Sequence, residues 1–177
     1  MLLILTNIPQ PVDHPLLPKL HDKRSPLPPT KPVENGAAWD QVTAALGEPW
    51  EVAIGKRRSW PRLFAYDDLE LSVCRCQKVT LICLQTWRDV INLPVGPVGR
   101  DRFPGQPKYA DVIASLDRAG CAWQPYTPLT FDNQCAIQAT SSGVIFVFEI
   151  PDGEGPILNV VGPPPHQHEC PATHAAP

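Results

Sequence analysis

The chain has 177 residues, a hydrophobic content of 43% and a formal charge of −3, with a pI near 5.9. That is enough for one ordinary domain with a real core. The acidic balance argues against a nucleic-acid partner, since the compact basic cluster is only Lys56-Arg57-Arg58 with Arg62 nearby, a pattern typical of a solvated turn. Proline, at 23 residues, is more than twice the usual share and is concentrated outside the periodic segments.

Residues 1–33 begin MLLILTNI and then carry proline every few positions. Proline fixes φ and removes a donor, so this stretch is expected to be a Pro-rich extended tail. It lacks the basic region and the long apolar run of a signal peptide. No apolar run is long enough to span a bilayer. The six cysteines form no spaced disulfide framework. The expectation is a cytoplasmic protein with reduced thiols and no membrane association.

The spacing predicts a first helix over 36–46. Trp39, Val42 and Leu46 share one face, Asn35 serves as N-cap, Gly47 as stop, and Pro49 blocks continuation. Strands are expected at 50–54, 62–66, 69–76 and 79–85, with turns at Asp67-Asp68 and Gln77-Lys78. Residues 86–106 carry several glycines and prolines that would break any regular element, so 91–106 reads as a linker. A second helix is predicted over 108–119, with Tyr109, Val112, Ile113 and Leu116 inward. Strands at 121–126, 134–139, 144–150 and 157–161 follow, then a second Pro-rich tail at 163–177. The expected class is α+β: two helix-then-antiparallel-strand units, 34–90 and 107–162, packed as one body between two tails.

Five histidines, His14, His21, His166, His168 and His174, all fall in the tails. The predicted core therefore has no base for a Ser-His-Asp or Cys-His nucleophile. The run His166, His168, Cys170, His174 has zinc or copper donor types, but its spacing is not that of a standard finger, and a solvated tail is the preferred reading. Cys74-Arg75-Cys76 on a strand differs from the C-x-x-C of redox sites, so these cysteines read as small side chains on a sheet face. Asp67, Asp68 and Glu70 could serve an enzyme, together with Cys74 and Cys76, but adjacent turn aspartates are commonest for their backbone tolerance. No catalytic, metal or cofactor residue is assigned. The remaining candidates are the binding types Trp50, Trp60, Arg62, Tyr66, Trp87 and Arg88, near strand ends and turns.

The run Val42 to Pro49, V-x-x-x-LG-x-P after a glycine near a helix start and before a strand with an aromatic, resembles the repeat of the SmpA/OmlA small lipoproteins. The β-lactamase inhibitor proteins carry a tandem version of that helix-plus-sheet unit. The likeness covers about 36–84; the chain has no lipobox, and the second unit ends differently, at 116–120. The runs YDDLEL (66–71), VTLICL (79–84) and SGVIFVF (142–148) are similar to segments of small bacterial proteins, some of which resemble immunity proteins of toxin systems. What these resemblances imply is a two-unit α+β binding module, with no catalytic residues carried across. Together with the His-free core and the aromatic and Arg turns, the expectation is a non-enzymatic module, an immunity or inhibitor protein, that binds a protein partner, a toxin or an enzyme, through its sheet face.

Overall fold

The computed structural model describes residues 33–52 and 60–171. The N-terminal Pro-rich stretch, the Lys56-Arg57-Arg58 cluster, His14, His21 and His174 lie outside the described residues. The chain is α+β. Its elements are α1 (Trp39–Leu46), β1 (Trp50–Val52), β2 (Arg62–Tyr66), β3 (Leu69–Val73), β4 (Val79–Gln85), β5 (Val90–Val95), β6 (Gly99–Pro104), α2 (Tyr109–Arg118), β7 (Trp123–Pro125), β8 (Gln134–Ala139), β9 (Ile145–Glu149) and β10 (Ile157–Gly162), with a 3₁₀ turn at Thr127–Leu129.

Eight strands form one antiparallel sheet in the order β1-β2-β3-β4-β10-β9-β8-β7, with β5 and β6 as a separate hairpin. β4 and β10 meet at its centre, Val160 opposite Gln85 and Val161 opposite Leu84. Gly162 is required at that seam, since a Cβ there would stand 2.2 Å from the carbonyl oxygen of Ile82.

Both helices and the hairpin cover the same face. Ile82 and Leu84, two apart on β4, point the same way. Ile82 belongs to a cluster with Val42 of α1, Tyr66, Leu71, Val73 and Val79. Leu84 belongs to another with Ile91 and Leu93 of β5, Leu116 of α2, and Phe146, Phe148 and Leu158. On the opposite face Ala136, Ile145 and Val147 are covered by Tyr126 and Leu129. Among the described residues, no helix is long and apolar enough to cross a membrane.

Several boundaries differ from the sequence reading. The supposed linker holds the β5–β6 hairpin, Val90 opposite Pro104 through Val95 opposite Gly99. Pro94 and Pro104 are tolerated because they share the register of Asn92, whose amide points out of the ribbon, so no ladder hydrogen bond is lost. The N-cap of α1 is Ala38; Asn35 instead donates its side-chain amide to the carbonyl of Pro164, 2.7 Å. β3 stops at Val73, because Gln77 adopts φ 58°. Its amide donates to Cys74 O at 2.9 Å, while the Cys74 amide donates to Lys78 O at 2.9 Å. Cys74 and Cys76 are therefore turn residues.

Candidate functional site

A cavity of about 440 Å³ opens between α2, the β5–β6 hairpin and the sheet. Its floor is Leu84, Phe146, Leu158 and Val161, and its hairpin wall is Ile91, Leu93 and Phe103. The helix wall is a stripe at i, i+3, i+4, i+7, i+8 and i+11: Lys108, Asp111, Val112, Ser115, Leu116 and Ala119. Ser115 and Ala119 on this stripe are small and leave the space open. The bulky Tyr109 packs instead on Phe148, with ring centroids 5.0 Å apart. Thr86 is buried in the floor, and its hydroxyl donates to Leu158 O at 2.7 Å. Among the described residues, the charged groups of the lining are Lys108 and Asp111, both exposed at the rim.

The predicted binding residues do not form one patch. Register places Arg62 opposite Val73 and Val73 opposite Val79, so Trp60 and Arg62 lie at the sheet end that carries the β3–β4 turn. Trp50 is opposite Ala65, and Tyr66 opposite Leu69, so these lie at the other end, where Trp87 and Arg88 follow β4. Tyr66 is a core residue, with its hydroxyl donating to Gly47 O at 3.0 Å. Trp50 and Trp87 are 77% and 52% exposed. The guanidinium of Arg88 lies 5.1 Å from the Trp87 ring and that of Arg62 4.7 Å from Trp60. The Trp87 loop borders the cavity: Gln106 N donates to Thr86 O and Gly105 N to Asp89 O.

The carboxylates have three separate structural roles. Asp67, at φ 55°, pairs with Arg100. Asp68, only 2% exposed, accepts from the Asn92 amide at 2.7 Å and ties the hairpin to the β2–β3 turn. Its other oxygen stands 3.2 Å from Arg88 Nε, an ion pair without hydrogen-bond alignment. Glu70 accepts from Gln85 at 2.9 Å.

At the other end of the sheet, Cys74, Cys76, His168 and Cys170 bring four donor atoms within 4.8 Å of one another. The solvated-tail reading of His168 and Cys170, and the sheet-face reading of Cys74 and Cys76, both give way here. The tail continues alongside β4, with His166 N donating to Thr80 O at 2.7 Å, and delivers His168 and Cys170 to the β3–β4 turn. At Cys170 burial pushes the thiol up, but hydrogen bonds with Cys76, Cys74 and Arg75 outweigh it and bring it down to about 7. Cys76 is pushed up to about 11, first by its hydrogen bond to Cys170 and then by burial. The sequence signal was present as two i, i+2 pairs, Cys74/Cys76 and His168/Cys170; each pair falls short of a metal motif alone, and pairing them requires the tail's path. His166 is not in the set and stacks on His168, with centroids 6.4 Å apart. Comparison with protein families, curated proteins and solved structures finds no match to this chain.

Proposed function

We propose that this chain is a non-enzymatic binding protein whose ligand site is the cavity between α2, the hairpin and the sheet. The ligand class is a small, mainly apolar molecule carrying one polar group that faces the Lys108 rim. The observation that carries this reading is that core residues are also the walls of an open 440 Å³ space. Interiors normally pack without such voids. The apolar walls offer water few polar partners, since the buried Thr86 hydroxyl is already engaged. The volume lies in the range of small-molecule sites, roughly 300–1,000 Å³.

The test uses 8-anilinonaphthalene-1-sulfonate, an apolar anionic fluorophore, on the folded full chain. Saturable binding of one probe is expected, with at least tenfold weakening in Ser115→Trp, which fills the cavity. Absence of saturable binding, or equal binding by a folded Ser115→Trp protein, removes the reading.

A second reading keeps a protein partner, a toxin or an enzyme, as the ligand. It is favoured by the exposed Trp87 stacked with Arg88 beside the cavity. Trp and Arg are the residue types most enriched at interface hot spots. Under this reading Trp87→Ala abolishes co-purification of a stoichiometric partner and leaves probe binding unchanged. Two further features support treating the halves as copies of one unit. Each runs helix, short outer strand, then three strands toward the centre, and the innermost strands β4 and β10 pair antiparallel.

A further inference from the structure

We infer that Cys74, Cys76, His168 and Cys170 form a four-ligand zinc site that fastens the C-terminal segment to the β3–β4 turn. The site is remote from the cavity and independent of the reading given to it. Three observations converge. The donor atoms lie within 4.8 Å of one another. Zinc–sulfur bonds of about 2.3 Å and zinc–nitrogen bonds of about 2.0 Å give tetrahedron edges of roughly 3.5–3.8 Å, so closure needs shifts of about 1 Å, within reach of small χ rotations. The Nε2 of His168 is buried and has no hydrogen-bond partner. An unsatisfied imidazole nitrogen is costly to bury, and a metal ion satisfies it. Finally, both ligand pairs are held by backbone bonds that do not involve the ligand side chains. The Cys74 amide bonds Lys78 O and the His166 amide bonds Thr80 O, while Asn35 holds Pro164 O.

The donor set selects the ion. Three thiolates and an imidazole are soft to borderline ligands, which suit zinc and exclude magnesium and calcium, whose ligands are oxygens. Three thiolates with one Zn²⁺ leave a net charge of −1, and Arg75, which hydrogen-bonds Cys170, is placed to balance it. Four protein ligands leave no open position, the arrangement of a structural rather than a catalytic zinc. The three protons released by the thiols go to solvent as the metal binds.

The experiment is elemental analysis of the untagged full chain, purified under a thiol-free reductant from cells grown with zinc, alongside cobalt titration of the metal-stripped protein. One zinc per chain is expected, together with the visible bands of tetrahedral cobalt and a thiolate-to-cobalt band in the near ultraviolet, both abolished by an equivalent of zinc. Cys76→Ser and Cys170→Ser should each lower zinc affinity by tenfold or more, and Cys121→Ser, outside the cluster, should leave it unchanged. The cobalt spectrum of the unmodified chain decides the matter even if a variant fails to fold. Absence of both zinc and the tetrahedral spectrum overturns the site. So does copper in place of zinc, or full zinc content in a folded Cys76→Ser/Cys170→Ser double variant.

Discussion

The hydroxyl of Tyr66 donates to the carbonyl of Gly47 from a ring almost wholly buried beside Trp39. Burial, and then the charge of Glu48, pushes its ionisation up from 10.0 to about 12. Below pH 10 the residue is protonated in both folded and unfolded chains and contributes no pH dependence. Between pH 10 and about 12 the unfolded chain loses the proton first, so stability falls as pH rises, by up to about 1.4 kcal/mol per pH unit. Tyr66→Phe should lower stability by about 1 kcal/mol at pH 7, from the lost hydrogen bond. It should also remove that alkaline slope. Urea unfolding of the two proteins across pH 7 to 12 measures both effects, and parallel alkaline profiles would contradict the burial argument. Residue type alone gives no access to this: by type Tyr66 belongs with the binding Trp and Arg residues and Asp68 with turn carboxylates, yet both are buried. Burial of a polar side chain depends on partners supplied from elsewhere, here Gly47 and Asn92.

At the scale of elements, periodicity carried most of the reading. β4 and β8 fall at the predicted residues, and both helices lie inside their predicted limits. Their apolar faces recur at the helical and strand periods, and no distant contact is needed to see them. The β5–β6 hairpin escapes a sequence reading because its prolines are ordinary evidence against a strand; they are harmless because, as at Asn92, whose amide leaves the ribbon for Asp68, their nitrogens face away from the partner strand. The cavity was missed with it, since one wall is that hairpin. Gly105 sets the spacing between the hairpin and the Trp87 loop, because a Cβ there would lie 1.6 Å from Arg88 O. Gly105→Ala must therefore push the loop and β6 apart. The expected outcome is a loss of roughly 1–3 kcal/mol, the usual range for forced overpacking, together with weakened probe binding at the cavity. Unchanged thermal stability and probe affinity would mean that the hairpin moves freely on the sheet.

The C-terminal segment has to be considered with the whole molecule, because what it fastens lies at the other end of the chain. Asn35 precedes α1, Thr80 is the second residue of β4, and Cys74 and Cys76 lie in the turn between β3 and β4; the segment after β10 touches each of them. It runs beside the central strand, so its loss would unpin the first helix and the β3–β4 turn together. A chain ending at Gly162 keeps the sheet, both helices and the cavity, and lacks His168 and Cys170. The sheet and its three core clusters are complete without the metal, so the shortened chain is expected to fold and to bind the apolar probe. With free zinc about a thousandfold above Kd, a site of this kind adds about 4 kcal/mol. For a chain of this length that is a rise in Tm of roughly 8–16 °C. Thermal unfolding of the full chain should therefore drop by about that amount when a chelator is added, and the shortened chain should already be at the lower value and be insensitive to chelator. A full-length protein indifferent to chelator, with a shortened chain equally stable, would leave the tail as a passenger on the sheet. A shortened chain that loses probe binding would instead show that the C-terminal segment itself, through its bonds to Asn35 and Thr80, joins the two ends of the sheet into one cooperative unit.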